Sequence, residues 1–373
     1  MHVLVTADTV GGVWTYTREL VTGLVRRGVK VTLVSFGDIP AAGQTRWIEQ
    51  LQSQASHSPG LTYHPTGFQL EWMQNGQNDM QASAEYLREL IRETRPDLLH
   101  FNQFYYGSLD CELPRLVVAH SDLVSWWVAV HGTEPPMTPW LNWYRDAVTR
   151  GLAQATAVIA PSRWMMEQVS RYYVAPRRVD VIHNGRTPAL FHAHMTKEDR
   201  IVTVGRLWDR GKNAGLLLRT HMPAPVFIVG RDQEPRGASE TFAVEDGTNI
   251  HLEPRQEEKQ IAQTLGRAAI YAALSQYEPF GLAPLEAALS RCALVASDIP
   301  SFRELWDGAA IFFRNNDAES LRLALELLTA DPALRKKYSN LAYAHARRAF
   351  SAHGMVARYM DLYRGLAPAV AVA

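Results

Sequence analysis

The sequence predicts an α/β protein made of two doubly wound parallel sheets. Short apolar runs alternate with longer amphipathic stretches along the whole chain, the pattern of repeated strand-helix units. The pattern pauses at an aperiodic stretch rich in charge, NGRTPALFHAHMTKEDR, and then restarts at residue 201. A length of 373 residues accommodates two domains of the usual ~100 to 200 residues each.

In the first half, strands are expected at HVLVT (2–6), VKVTLVSF (29–36), DLLHF (97–101), WWVAVH (126–131), TAVIA (156–160) and VDVIH (179–183). After the first strand, Gly11-Gly12 reads as a loop entering a helix, with Trp14, Leu20, Leu24 and Val25 on one face and Gly28 near its C-terminus. Ser162 is placed to cap a helix that follows TAVIA. The segment 37–81, rich in Gln, Ser, Gly and Pro and carrying Trp47, Phe68 and Trp72, reads as loops that form either an acceptor lid or variable surface. The second half has strands at IVTVG (201–205), APVFIVG (224–230), NIHL (249–252), AIYAAL (269–274), ALVAS (293–297) and AAIFF (309–313), then helix to the end. The resulting boundaries are an N-terminal domain 1–185, a linker 186–198, a C-terminal domain 199–350 and a final helix 351–373. Doubly wound sheets bind ligands at the C-terminal ends of their strands. Two such edges facing one another would form a cleft.

Lys and Arg number 38 and Asp and Glu number 38, a balance that argues against a nucleic-acid binder. Residues 1–185 hold 15 basic and 17 acidic side chains, so peripheral attachment to an anionic membrane finds no support in charge. No run approaches the ~20 apolar residues of a membrane span, and the N-terminus lacks the pattern of a secretory signal, which leads to an expected cytoplasmic location. Cys111 and Cys292 are expected to be reduced, buried thiols.

The phosphate loop, the dinucleotide glycine fingerprint, the Gly-x-Ser-x-Gly elbow and His-Glu-x-x-His are absent, as is any Asp-x-Asp pair that could hold a metal against a diphosphate. No metal or cofactor is expected. The most informative stretch is YEPFGLAPLEAALSRCALVASDIP (277–300). Pro279, Gly281 and Pro284 cluster at a predicted helix start, where the backbone of Phe280, Gly281 and Leu282 could present N–H groups to a diphosphate. Glu278 precedes that start and Glu286 lies inside the helix. If fully helical, their α-carbons would stand ~12 Å apart, too far for the paired carboxylates of a glycosidase. They suit the two ends of one elongated ligand, or are simply solvated. Arg206 follows the strand IVTVG and Lys212 lies six residues later, so both cations could face a leaving diphosphate or solvent. His131 and His100 each close a predicted strand, where a histidine can bind a polar ligand or serve as a satisfied structural group. Among Trp126, Trp127, Trp140, Trp143 and Tyr144, the pair Trp140 and Trp143 follows a Pro-rich loop and could stack on an acceptor or pack in the core.

The ordered set GG (11–12), VAVHGTE (128–134), VIAPS (158–162), VIHNG (181–185), GRLWDRGK (205–212) and EPFGLAPLE (278–286) resembles glycosyltransferase family 4. The resemblance covers nearly the whole chain, and its most specific part is Glu-x7-Glu following Gly-Arg with a Lys six residues on. It implies a GT-B fold, two facing Rossmann-like domains with a cleft between them and a C-terminal helix crossing back to the first. It also implies a retaining transferase that uses a nucleotide diphosphate sugar, UDP- or GDP-linked, as co-substrate without a cofactor.

By that resemblance Glu286 would hold the donor ribose and Phe280 to Leu282 the diphosphate, while Glu278 would touch the transferred sugar. Arg206 and Lys212 would neutralise the diphosphate, His131 would reach the sugar, and Gly12 would lie close to either. A base pocket is expected near Gly230, Arg231 and Pro254, and Trp140, Trp143 and His100 are candidates for the acceptor, a saccharide or glycoside hydroxyl. Arg186, Thr187 and Pro188 follow Asn184-Gly185 where the family often shows Val-Asp, a departure from the pattern. Two other readings keep the architecture: a nucleotide-sugar hydrolase or phosphorylase, and a sugar-nucleotide binding protein without catalysis.

Overall fold

The computed structural model describes residues 1–54, 60–74, 76–230 and 249–366. The chain divides into two units. The first comprises Met1–Ser125, Glu134–Gly185 and the segment from Ala352, and the second comprises Trp126–Thr133 and Arg186–Ser351.

The first unit holds strands β1 (His2–Asp8), β2 (Lys30–Phe36), β3 (Leu61–Pro65), β4 (Leu98–Phe101), β5 (Arg115–Val118), β6 (Ala157–Ala160) and β7 (Val179–Val181). Its helices are α1 (Gly12–Val25), α2 (Ala42–Gln54), α3 (Gln77–Thr94), the start of α4 (Leu123–His131), α5 (Pro139–Gln154) and α6 (Arg163–Tyr172). Among the described residues the strands form one parallel sheet in the order β3-β2-β1-β4-β5-β6-β7. Its switch point, where successive strands turn to the opposite side of β1, lies between β1 and β4.

The second unit holds β8 (Glu198–Val204), β9 (Val226–Val229), β10 (Ile250–Glu253), β11 (Ala268–Ala273), β12 (Ala293–Ser297) and β13 (Ala310–Phe313). Its helices are α7 (Glu258–Arg267), α8 (Leu282–Leu289), α9 (Pro300–Trp306), α10 (Ala318–Ala330) and α11 (Pro332–Ala349). The described strands are again all parallel, in the order β10-β9-β8-β11-β12-β13, with the switch point between β8 and β11.

Four sequence expectations need correction. WWVAVH is the body of helix α4, not a strand. Asp122 accepts from the backbone N–H of Ser125 (2.8 Å), the bond an N-cap makes, and a short apolar run alone cannot separate a buried strand from a helix. The segment 37–81 contains α2 and the edge strand β3, whose polar, half-exposed residues hide the alternation a strand should show. RLVV, which is not among the expected strands, forms β5. The linker 186–198 is not a separate segment: Arg186 is fully buried in the second unit and Phe191 joins that unit's core.

The chain enters the second unit at Arg186 and leaves it at Ser351, and these crossings are bonded, with the Arg186 N–H donating to the Phe350 carbonyl (3.0 Å). Beyond the return, helix α12 (Ala352–Leu366) packs on α1 in the first unit. Met355, Val356, Tyr359 and Tyr363 share a core with Leu20 and Leu24. A side chain at Gly23 would put its Cβ 2.5 Å from Val356 Cγ2, so glycine there permits the close helix approach. The capping role expected of Ser162 is present, its hydroxyl accepting from the Met165 N–H at 3.2 Å.

His100 lies at the middle of this packing. It is fully buried, its Nδ1 is 2.6 Å from the Tyr363 hydroxyl and its Nε2 is 3.3 Å from that of Tyr16. Nearby, His120 Nε2 bonds Asn102 Oδ1 (2.8 Å). This corrects the reading of His100 as an acceptor candidate, because the ring is an internal strut that ties α12 to β4.

Burial pushes His100 down to about 3, helped by its neighbour His120, and burial pushes His120 down to about 3 as well. Both rings stay neutral in the folded chain, while unfolded histidine takes up a proton below about pH 6.5. Stability is therefore expected to fall as pH drops from 6.5 toward 3, by about 1.4 kcal/mol per pH unit for each ring. Glu71, pushed up to about 7 by burial, acts in the opposite direction between pH 7 and 4.5. His100→Asn should remove one ring's share of the pH slope in urea unfolding. An unchanged slope would contradict this account.

Candidate active site

The second unit's switch point brings two loops together. Strands β8 and β11 are parallel neighbours, so the loops that leave their C-terminal ends, 205–213 and 274–281, emerge side by side. The Gly211 carbonyl accepts from the N–H groups of Gln276 (2.9 Å) and Tyr277 (3.4 Å). Across the same junction, Lys212 Nζ lies 2.5 Å from Glu278 Oε2, which also accepts from Ser275 Oγ (3.2 Å). Gly205 approaches a third loop, since a Cβ on Gly230 would stand 1.8 Å from the Gly205 carbonyl oxygen.

The first loop is shaped by Asp209. This buried carboxylate caps the short 3-10 turn Arg210–Lys212 by accepting from the Gly211 N–H (2.9 Å), and it also accepts from Trp126 Nε1 (3.2 Å). Its other oxygen pairs with Arg206 at 2.7 Å. A second 3-10 stretch, Ala214–Arg219, follows. Arg206 also lies 5.2 Å from the Trp208 ring, and 40% of its side chain is exposed.

The second loop ends at Gly281, which caps α8 with φ +85°, a left-handed conformation that favours glycine. No side chain caps this helix, so its first turn offers unsatisfied N–H groups and the positive end of the helix dipole. The Phe280 side chain is buried, its ring 5.2 Å from that of Phe350, and this anchors the turn to the core. Inside α8, Glu286 pairs with Arg186 Nε at 2.9 Å, and the Arg186 Nη2 pairs with Glu258. Tyr271 on β11 senses both glutamates of the motif: burial first, then the carboxylates of Glu278 and Glu286, pushes its phenol well above the usual range.

Arg206, Lys212, Glu278, Phe280, Gly281, Leu282 and Glu286 thus all belong to the second unit and flank one switch point. His131 is the exposed last residue of α4, its ring 4.2 Å from that of Trp127, within the segment grouped with this unit. Gly12 opens α1 in the first unit behind Gly11, whose φ of +86° requires glycine-like freedom at the end of β1. Gly230 and Pro254 directly follow β9 and β10, whereas Arg231 lies outside the described residues.

Trp140 and Trp143 lie on α5 and pack against the first unit's core. Trp140 is stacked on Tyr144 (6.0 Å) and Trp143 lies 6.4 Å from Tyr105. The core role, one of two considered for them, is thus the one with visible contacts. Also in the first unit, a cleft of about 240 Å³ opens between α2 and the ends of β2 and β3, lined by residues including Ile39, Ile48, Glu49 and Tyr63. Sequence reasoning missed Asp209, Glu258 and Ser275. Asp209 carried a usable signal, an acidic residue in a Gly-containing turn three positions after Arg206.

Two family models match in tandem, Glycosyltransferase Family 4 over residues 10–190 and Glycosyl transferases group 1 over residues 191–345. The chain is a glycosyltransferase. The glycosyltransferase is similar over 309 residues to alpha-maltose-1-phosphate synthase of Mycolicibacterium smegmatis, at 26% identity and covering 72% of this chain and 78% of that one. A shorter stretch of 89 residues is 39% identical to the lipopolysaccharide core biosynthesis mannosyltransferase LpcC of Rhizobium leguminosarum bv. viciae, covering 23% and 25%. In fold it is similar to sucrose-phosphate synthase from Thermosynechococcus elongatus, with a TM-score of 0.78, 17% identity and coverage of 98% and 99%. It is likewise similar to Anabaena HepE in complex with UDP-glucose, with a TM-score of 0.71, 16% identity and coverage of 98% and 100%. The two Rossmann-like parallel sheets are those of the GT-B fold. Among the described residues, no helix of the glycosyltransferase is long and apolar enough to cross a membrane.

The Asp209 arrangement makes a direct prediction. Asp209→Ala strands the N–H groups of Gly211 and Trp126 and is expected to lower unfolding free energy by at least about 1 to 3 kcal/mol. Asp209→Asn, which keeps an acceptor, should lower it less. Urea unfolding of the two variants checks the order.

Proposed function

We propose that this glycosyltransferase is a retaining enzyme of family 4 that moves a hexose from a UDP- or GDP-linked sugar to a hydroxyl of a saccharide or glycoside acceptor. The carrying observation is the second unit's switch point, where Arg206 and Lys212 lie on one loop, Glu278 lies on the neighbouring loop, and that second loop leads into a helix N-terminus without a side-chain cap, the helix that carries Glu286. That arrangement offers a diphosphate the groups it needs, backbone N–H donors at Gly281 and Leu282 and charge from Arg206 and Lys212. Glu286 would take the ribose hydroxyls and Glu278 the transferred sugar. His131 and Gly12 would complete the donor contacts, and the base would lie near Gly230, Arg231 and Pro254.

The names of similar proteins support the hexose. HepE was solved with UDP-glucose, and LpcC is a mannosyltransferase by name. A sugar phosphate is the product named for the mycobacterial relative, which supports a saccharide-type acceptor.

In the proposed reaction the bond from the anomeric carbon to the β-phosphate oxygen breaks, and the electron pair leaves with the diphosphate. The acceptor oxygen forms its bond to the same carbon on the same face, and its proton passes to the departing phosphate oxygen. Configuration is retained without an enzyme nucleophile. Arg206 and Lys212 stabilise the charge that grows on the leaving group, and Glu278, held by Lys212 and Ser275, positions the sugar. The diphosphate charge is assigned to side chains and backbone, so no metal takes part.

Glu286→Ala is expected to weaken nucleoside diphosphate binding by the ~1.5 to 3 kcal/mol of a charge-assisted hydrogen bond, about 10- to 150-fold, in isothermal titration. Unchanged affinity would remove Glu286 from the donor site. In product assays by NMR, Arg206→Ala/Lys212→Ala should lower turnover at least 100-fold, while EDTA should leave wild-type turnover unchanged. Donor incubated without acceptor should release nucleotide only slowly, and rapid release would indicate a hydrolase.

A further inference from the structure

We infer that Arg186 is a positioning residue for donor binding, acting through Glu286. This rests on the proposed assignment of Glu286 to the donor ribose and extends it to a residue that the sequence marks only as a departure from the family pattern.

Arg186 is fully buried, yet it carries a permanent charge. Its guanidinium bridges two helices. Nε is 2.9 Å from Glu286 Oε1 in the middle of α8, Nη2 pairs with Glu258 at the start of α7, and the Phe191 ring lies 5.2 Å from the guanidinium carbon. Its backbone is fixed too, by the N–H bond to the Phe350 carbonyl and the bridge to Ser351. Glu286 retains only 13% of its side-chain exposure. A carboxylate that little solvated needs a compensating charge to remain an ionised acceptor, and it needs a fixed partner to hold one orientation. Arg186 supplies the charge through an ion pair, in which Nε–H is not aligned as a hydrogen bond, and its buried, anchored guanidinium supplies the fixed partner. A cis-diol requires a carboxylate with its charge and plane set in advance, because each hydroxyl donates along a defined lone-pair direction. The planar fork reaches both carboxylates at once, which a lysine ammonium does not reproduce.

Such a role has a signature that general destabilisation lacks, namely discrimination between a ribose and a sugar without its hydroxyls. The probes are UDP, GDP and ADP, of which the tightest binder is retained, and its 2′,3′-dideoxy analogue. Isothermal titration of folded protein, verified by thermal unfolding, gives the affinity ratio. The wild type should prefer the ribonucleotide at least tenfold. Arg186→Met should reduce that preference to within about threefold, and Arg186→Lys should fall between the two.

Full discrimination in Arg186→Met overturns the inference. Should that variant fail to fold, Arg186→Lys decides, and wild-type discrimination there overturns it equally. Glu286→Ala separates this from the underlying assignment. If Glu286→Ala keeps the preference, or if no nucleoside diphosphate binds the wild type, the ribose assignment fails and the inference fails with it. If Glu286→Ala loses the preference while both Arg186 variants keep it, the inference alone fails.

Discussion

The ion pair between Lys212 and Glu278 joins two loops that the parallel sheet leaves side by side. Its basis is topological. Because β8 and β11 run in the same direction as neighbours, and the helical connections leave them on opposite sides, their C-terminal ends open a gap that no crossover covers. The bonds from Gln276 and Tyr277 to the Gly211 carbonyl fix the width of that gap, and the left-handed Gly281 turns the chain so that α8 starts beside it. The residues of the candidate site are therefore far apart in sequence and close to one junction.

Charge at this junction is arranged in paired groups. Arg206 is paired with Asp209, Lys212 with Glu278, and Arg186 with Glu258 and Glu286. A diphosphate would have to draw Arg206 and Lys212 toward itself in competition with their carboxylates, a competition that salt and solvent can tip easily at the 40% exposed Arg206. The fully buried Arg186 is different, since the protein surrounds it with two carboxylates and an aromatic ring. The two outer cations are suited to changing partners, and the inner one to staying fixed.

How much of this was legible in the sequence depended on how local each signal is. The Glu278-to-Glu286 segment and Arg206 with Lys212 could be placed because each follows a strand with clear apolar character, and loop residues after parallel strands must lie at one sheet edge. Ser162 was legible because a cap bonds three residues away. Helix α4 was not, because five consecutive apolar positions from Trp126 to Val130 carry no periodicity and the deciding bond comes from Asp122, just before the helix. The fates of His100 and Arg186 depend on partners distant in sequence, Tyr363 for the first and Glu258 and Glu286 for the second. Their residue types announced that something must satisfy them when buried, but pairing across such separations is a property of the packed fold.

The proposed function places the donor at the β8–β11 switch point. A crystal structure with bound UDP or GDP tests it most directly. The expected result is ribose hydroxyls within hydrogen-bond distance of Glu286, diphosphate oxygens at the backbone N–H groups of Gly281 and Leu282, and Arg206 and Lys212 turned toward the phosphates. A nucleotide bound away from α8, with Glu286 making no contact to it, would contradict the account.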